Sequence, residues 1–337
     1  MMKHSSLVFV CSILLALTSY SQTILESRSG KFSAHIERTG SAKTWPESNE
    51  WTATVMSADG TQLYTLQKEV PFDFQFPAIY LSDLDGSAVV VFSAHGMIEW
   101  YSPLGNRITA LYPFGSHTPD YERVIKCSVA EDRIAFLVSS PEMVSAQIYC
   151  ATMEGEKLWT VELPFQNAGE VMMSPSGRYV LAGTYASEGE IAKKTFVIDR
   201  DGHILQELPG LFRYADVDER TETIAFAERN SVIKRRIQGV ASSIWETGKR
   251  ETIITDIQFM DENVLVTVES VLVEGGTIRY VNPSLVLLDH HARIVSRKDL
   301  HSVSTSPLNV RRRENSIVMD LGGIQTEMKI SELFSQQ

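Results

Sequence analysis

Titratable side chains gather at the joints between apolar runs of this sequence. His117, Asp120 and Glu122 form one group, Glu170 stands alone, and Arg213, Asp216 and Asp218 form another. Carboxylates brought near one point can bind a cation or divide the work of acid and base. Their spacing matches no EF-hand loop or other metal motif, so solvated charge is the plainer reading. Aromatic residues occupy the same joints. Pro71-Phe72, Pro113-Phe114 and Pro164-Phe165 each follow an apolar run, Pro209 shortly precedes Leu211-Phe212, and Tyr121 and Tyr214 lie close by. On one rim, Phe72, Phe114, Phe165, Phe212, Tyr121 and Tyr214 would suit a peptide or protein partner, because aromatic rings are enriched at binding hot spots. The competing reading is structural: each ring wedges between neighbouring sheets, and each proline ends a strand.

Three further features carry less chemistry. His290-His291 has the look of a metal pair, but adjacent residues on an extended strand point to opposite faces. The pair also aligns with the turn residues of another repeat. Arg311-Arg312-Arg313 can meet an anion, although such runs more often form salt bridges or face water. No Gly-x-Ser-x-Gly, His-Glu-x-x-His, phosphate loop or Cys-x-x-Cys occurs.

These residues are positioned by repeated short strands. Val171–Leu208 contains four apolar runs: Val171–Met173, Tyr179–Ala182, Thr195–Ile198 and Ile204–Leu208. Glycines at Gly177 and Gly202 supply the positive φ that tight turns need. A four-stranded antiparallel meander of about 40 residues is one propeller blade. The turn between first and second strands recurs at positions 30, 86, 132, 177, 222, 262 and 315. The turn between third and fourth strands recurs in phase at 60, 105, 155 and 202, with Ala241 and Ala292 in two degenerate copies. Runs such as Ile134–Val138 and Val264–Val268 bury both faces. One four-stranded sheet cannot cover its own apolar faces, so the units must stack. The spacing predicts an all-β, seven-bladed β-propeller of four-stranded antiparallel blades, with either the first or the last blade three-stranded.

Ser174-Pro175-Ser176-Gly177-Arg178-Tyr179-Val180 resembles the signature of Tol-type and WD-repeat-like (WD40-like) propellers of bacteria. Gly155-Glu156-Lys157-Leu158-Trp159 resembles the end of a quinoprotein-type (PQQ-like) repeat. The resemblance covers the mature chain as a fold pattern, and it implies a propeller. No unit carries a Gly-His or Trp-Asp dipeptide, and only one third-to-fourth turn ends in Trp.

The chain has 337 residues and a net charge of −11. That balance argues against a nucleic-acid partner, which needs a basic face. Lys3 and His4 precede an apolar core over Leu7–Leu17, and Ser19-Tyr20-Ser21 supplies small residues for cleavage. Residues 1–21 therefore read as a Sec-type signal peptide, followed by a single propeller domain over 22–337. The expected location is periplasmic or extracellular, and no later stretch is long and apolar enough to span a membrane. Cys127 and Cys150 remain after cleavage. The register places them on the first and third strands of one blade, about 9–10 Å apart at ~4.8 Å per strand step. A disulfide needs Cα atoms within about 7 Å, so free thiols are expected.

The expected function is a protein- or peptide-binding scaffold, monomeric, with no cofactor and no resident metal. The alternative is a propeller hydrolase or lyase acting on a sugar, peptide or small ester through inward-facing polar groups.

Overall fold

The structure is a computed structural model. It describes residues 23–27, 29–39, 49–70, 78–115, 123–186, 192–228, 230–248, 251–313, 315–322 and 324–333. Its contacts divide the chain into two compact units, Met1–Tyr112 and Pro113–Gln337.

The first unit holds two four-stranded sheets. Blade 1 is β1 (Thr23–Glu26), β2 (Phe32–Thr39), β3 (Asn49–Ser57) and β4 (Gln62–Val70). Blade 2 is β5 (Ala78–Leu81), β6 (Ala88–Phe92), β7 (Met97–Tyr101) and β8 (Arg107–Leu111). The second unit holds the other five sheets. Blade 3 is β9 (Val124–Val129), β10 (Arg133–Ser139), β11 (Ala146–Thr152) and β12 (Lys157–Leu163). Blade 4 is β13 (Asn167–Met173), β14 (Tyr179–Tyr185), β15 (Lys193–Asp199) and β16 (Ile204–Pro209). Blade 5 is β17 (Tyr214–Asp218), β18 (Thr223–Glu228), β19 (Ser231–Arg236) and β20 (Ser242–Glu246). Blade 6 is β21 (Thr252–Met260), β22 (Asn263–Glu274), β23 (Thr277–Leu288) and β24 (Ile294–Asp299), with a short β25 (Val303–Ser304) added to β23. Blade 7 is β26 (Asn309–Arg313), β27 (Ser316–Leu321) and β28 (Ile324–Lys329), followed by the one-turn helix α1 (Ile330–Leu333). The fold is a seven-bladed β-propeller. Its first blade is complete and its last has three strands.

Strand alternation explains how the sheets pack. Second strands carry most of the burial: β6 and β10 are buried at every position, whereas β2 of blade 1 buries only Ala34 and Ile36. One face of blade 4 presents Val180, Ala182, Phe196 and Ile198 to Ala135, Leu137, Ile148 and Leu163 of blade 3. Its other face presents Leu181 and Val197 to Ile224 and Phe226 of blade 5. Within the first unit, Ile36, Val55 and Leu66 pack against Ile79, Leu81 and Val90.

The turn glycines serve packing as well as backbone geometry. Gly202 has φ +90°, and a Cβ there would meet the Trp159 ring of the preceding blade at 3.0 Å. Trp159 Nε1 also donates to the Arg200 carbonyl at 2.8 Å. Gly105 sits the same way over Tyr64. Gly202→Ala is therefore expected to cost about 1–3 kcal/mol through backbone strain and contact, read as a lower denaturant midpoint at unchanged slope. Ala292 takes the same left-handed conformation at φ 59°. The blade 5 turn departs from the expected register. It is built on Gln238 (φ 64°) and Gly239 rather than on Ala241.

Cys127 and Cys150 are not joined in a disulfide, and β10 separates them. Burial pushes the Cys150 thiol up to about 11, which suits a core side chain rather than a reactive one.

Candidate functional site

Phe72, Tyr121, His117, Asp120 and Glu122 lie outside the described residues. Phe212 does not take the rim position expected of it. It is only 3% exposed and sits in the core between blades 4 and 5 with Leu208, Val217 and Ile224, so it belongs to no rim. Phe114 is partly buried beneath the Arg123 guanidinium, 5.1 Å from its ring centre. Phe165 takes φ 76° in the turn after β12, and its carbonyl accepts the Ala146 N–H. Tyr214 opens β17 and packs on the core of blades 5 and 6, with exposed Arg213 5.7 Å above its ring. Burial raises the pKa of its hydroxyl.

The polar candidates that fall on strands all fall on first strands. Glu170 on β13 pairs with Lys126 on β9 at 3.3 Å. Asp216 on β17 accepts the Phe259 N–H of β21 at 2.7 Å and its neighbour Val217 N–H at 2.9 Å. Facing it on β21 is Asp256, which sequence reasoning missed. Burial pushes the Asp256 carboxyl up to about 6; hydrogen bonds from Gln258 and Ile257 oppose this, and the Asp216 charge adds to it. Gln258 bridges onward to the Val310 carbonyl of β26. A carboxyl of raised pKa near a second carboxyl is a pairing that proton transfer can use.

A second feature lies away from these strands. β22 and β23 are each 12 residues long, and they outrun their neighbours. Pairing with β21 ends at Ser270, apart from one bond between Val271 N–H and the Glu251 carbonyl. On the other side, β25 pairs only with Tyr280 and Val281. The register Val271↔Tyr280 and Val273↔Ile278 puts these four side chains on one face of the ladder. Val273 is 70% exposed and Ile278 50%. Gly275 and Gly276, both at positive φ, make the tip.

His290 and His291 occupy the exposed β23–β24 turn. There the Asp289 carboxylate accepts the N–H groups of His291 and Arg293. The corresponding turn of blade 4 brings Asp199, Asp201 and His203 within 4.8 Å of one another. The Asp199 carboxylate is likewise engaged by the N–H groups of Asp201 and His203. Among the described residues, no helix is long and apolar enough to cross a membrane.

Comparison with known proteins bears on the fold alone. No protein-family model matches the sequence, and no curated protein does. Among solved structures, the chain is similar to the Dos1 propeller, with a TM-score of 0.59 at 11% identity over 91% of this chain and 77% of that one. It is similar to virginiamycin B lyase from Staphylococcus aureus, with a TM-score of 0.53 at 13% identity over 92% and 94%. It is also similar to a chain of the mitotic checkpoint complex, with a TM-score of 0.55 at 9% identity over 91% and 89%. These neighbours include a lyase and a member of a protein assembly, so a shared propeller fold leaves the activity to be argued from the site.

Proposed function

We propose that this chain is an exported β-propeller that binds a protein or peptide, taking its partner on the projecting β22–β23 hairpin. The observation that carries the reading is the apolar face of Val271, Val273, Ile278 and Tyr280 beyond the body of blade 6. Apolar side chains held clear of their own core mark contact surfaces. Among the described residues no strand pairs with the edge of β22 beyond Val271, and that edge offers backbone groups to an extended segment, which would add as a strand. Export rests on the leader-like residues 1–21, and N-terminal sequencing of the mature protein should begin at Gln22.

A photo-crosslinking residue at position 273 tests the binding reading in the native host. Position 240 serves as the control, because Val240 is 96% exposed but carries no such face. We expect a discrete adduct from 273 and none from 240, and loss of that adduct in the Ile278→Glu background. Equal labelling from both positions, or none from either, would end the proposal.

The enzyme reading keeps one observation in its favour, the Asp216–Asp256 pair. It makes Asp256 the general acid of a hydrolase or lyase. A turnover on a sugar, peptide or ester substrate that persists in Asp256→Asn would remove it.

A further inference from the structure

A cleft of about 420 Å³ opens between blades 5 and 6, where β19 and β20 face the β21–β22 and β23–β24 turns. That volume falls within the range of small-molecule sites. Ladder register determines which side chains enter it. Lys234 shares a sheet face with Val232, which packs in the blade 5–6 core. Ser243 lies opposite Lys234, and Thr223 lies opposite Arg236. Lys234, Arg236, Ser243 and Thr223 therefore stand on one face, above the Phe259 ring and within reach of His290.

The donors there are under-used. Lys234 is only 8% exposed, and its Nζ donates to the Glu262 carbonyl at 2.8 Å. An ammonium carries three N–H donors. Among the described residues, Lys234 has no carboxylate within 4 Å, and the Arg236 side chain has no hydrogen bond or ion pair. The acids at the cleft are engaged elsewhere. Asp218 accepts the Arg220 N–H and the Thr221 hydroxyl, and Glu262 lies 4.0 Å from the Arg220 guanidinium. Arg235 turns its guanidinium to the Gly239 carbonyl. Asp289, the third carboxylate near Lys234, accepts the His291 and Arg293 N–H groups, and the Thr223 hydroxyl donates to the Thr221 carbonyl at 3.3 Å. The donors left facing the cleft are those of Lys234, Arg236 and Ser243, on a chain of net charge −11.

We infer that this cleft binds the phosphoryl group of a small phosphate monoester, with Arg236 and Lys234 as its charged partners and the hydroxyl of Ser243 beside them. Arginine and lysine with a hydroxyl donor match the several acceptor oxygens of a tetrahedral dianion. The volume beyond the phosphoryl group leaves room for a sugar-sized body over Phe259. This surface is separate from the β22–β23 hairpin and stands without it.

The test is calorimetric titration of the mature protein with a hexose 6-phosphate, inorganic phosphate and the unphosphorylated hexose. Binding of the ester and of phosphate, with none of the free sugar, is expected. Arg236→Gln changes an exposed side chain and should weaken ester binding about tenfold or more. Lys234→Arg keeps a charge in place and controls for misfolding of a larger change at this buried position. Failure of both phosphate and the ester to bind wild-type protein would overturn the inference. So would binding that Arg236→Gln leaves unchanged.

Discussion

Glu99→Ala is expected to destabilise the first unit by about 3–5 kcal/mol, the range for breaking a buried ion pair from one side. The Glu99 side chain is only 3% exposed, and three strands supply its partners. Lys68 of β4 reaches Oε2 at 2.7 Å, Arg107 of β8 reaches Oε1 at 3.0 Å, and the Tyr101 hydroxyl donates to Oε2 at 2.7 Å. Removing the carboxylate strands a lysine and a phenol in a low-dielectric site. It also cuts the polar tie between blades 1 and 2. Burial pushes the Glu99 carboxyl up, but the hydrogen bonds from Lys68, Tyr101 and Arg107 outweigh it and hold the pKa below the usual carboxylate range. The unfolded chain therefore binds this proton more readily. The contribution of Glu99 is fully present above the unfolded pKa and is lost as pH falls through the folded one. Glu99→Gln should flatten the acid limb of the stability profile while largely keeping the shape. Denaturant unfolding across acid pH, with amide exchange followed over residues 88–111, measures both effects. A loss below about 1 kcal/mol would show that the network behaves like a surface ion pair.

Phe196→Ala should cost a similar amount, about 3–5 kcal/mol, for a different reason. Phe196 has no exposed surface and fills the interface of blades 3 and 4 beside Leu137, Ile148 and Met173. Its removal leaves a cavity that neither sheet can close, because both are held by their own ladders. Phe196→Leu should cost about half as much or less. Equilibrium denaturation separates the two, and equal effects would indicate that the site relaxes around the hole.

The architecture was legible because turn chemistry recurs in register. Gly30, Gly86 and Gly177 all take positive φ, as does Glu222 where glycine is missing, while in blade 6 the positive φ falls one residue before the expected position, at Asp261. Ala241 misled because the blade 5 loop is longer and puts its left-handed residue at Gln238. The last blade could not be assigned from alternation, since β28 reads like any third strand and α1 replaces its fourth. The candidate site was legible only in part. Glu170 and Asp216 sit on first strands rather than in the joints between runs where the sequence had placed them. Asp256 was hidden by a bulge: the register runs Ile254↔Val268 and then Asp256↔Thr267, so Thr255 shifts the alternation by one. Phe212 lies just outside its strand, where period-two counting says nothing about which way a ring turns. Glu99 and Lys234 escaped notice because an isolated charge among apolar residues, or beside two arginines, gives no sign of the side chains it will meet across a blade boundary.

Every sheet among the described residues is made from one uninterrupted run of chain, and its neighbouring strands follow one another in sequence except for the short β25, which returns to β23. This has a consequence for biosynthesis. A sheet that borrows a strand from a distant part of the polypeptide must wait for that part to be made. Here each blade has all its strands once its own 40-odd residues have emerged from the ribosome or a translocation pore. At about 5–20 residues per second this takes a few seconds, whereas a hairpin forms in roughly 1–10 μs. Each blade can thus pair its backbone long before the next is available, and within each unit its apolar faces then wait for the following blade to cover them. The chain should acquire order in steps of one blade, from the N-terminal end, with three-stranded blade 7 the last to dock.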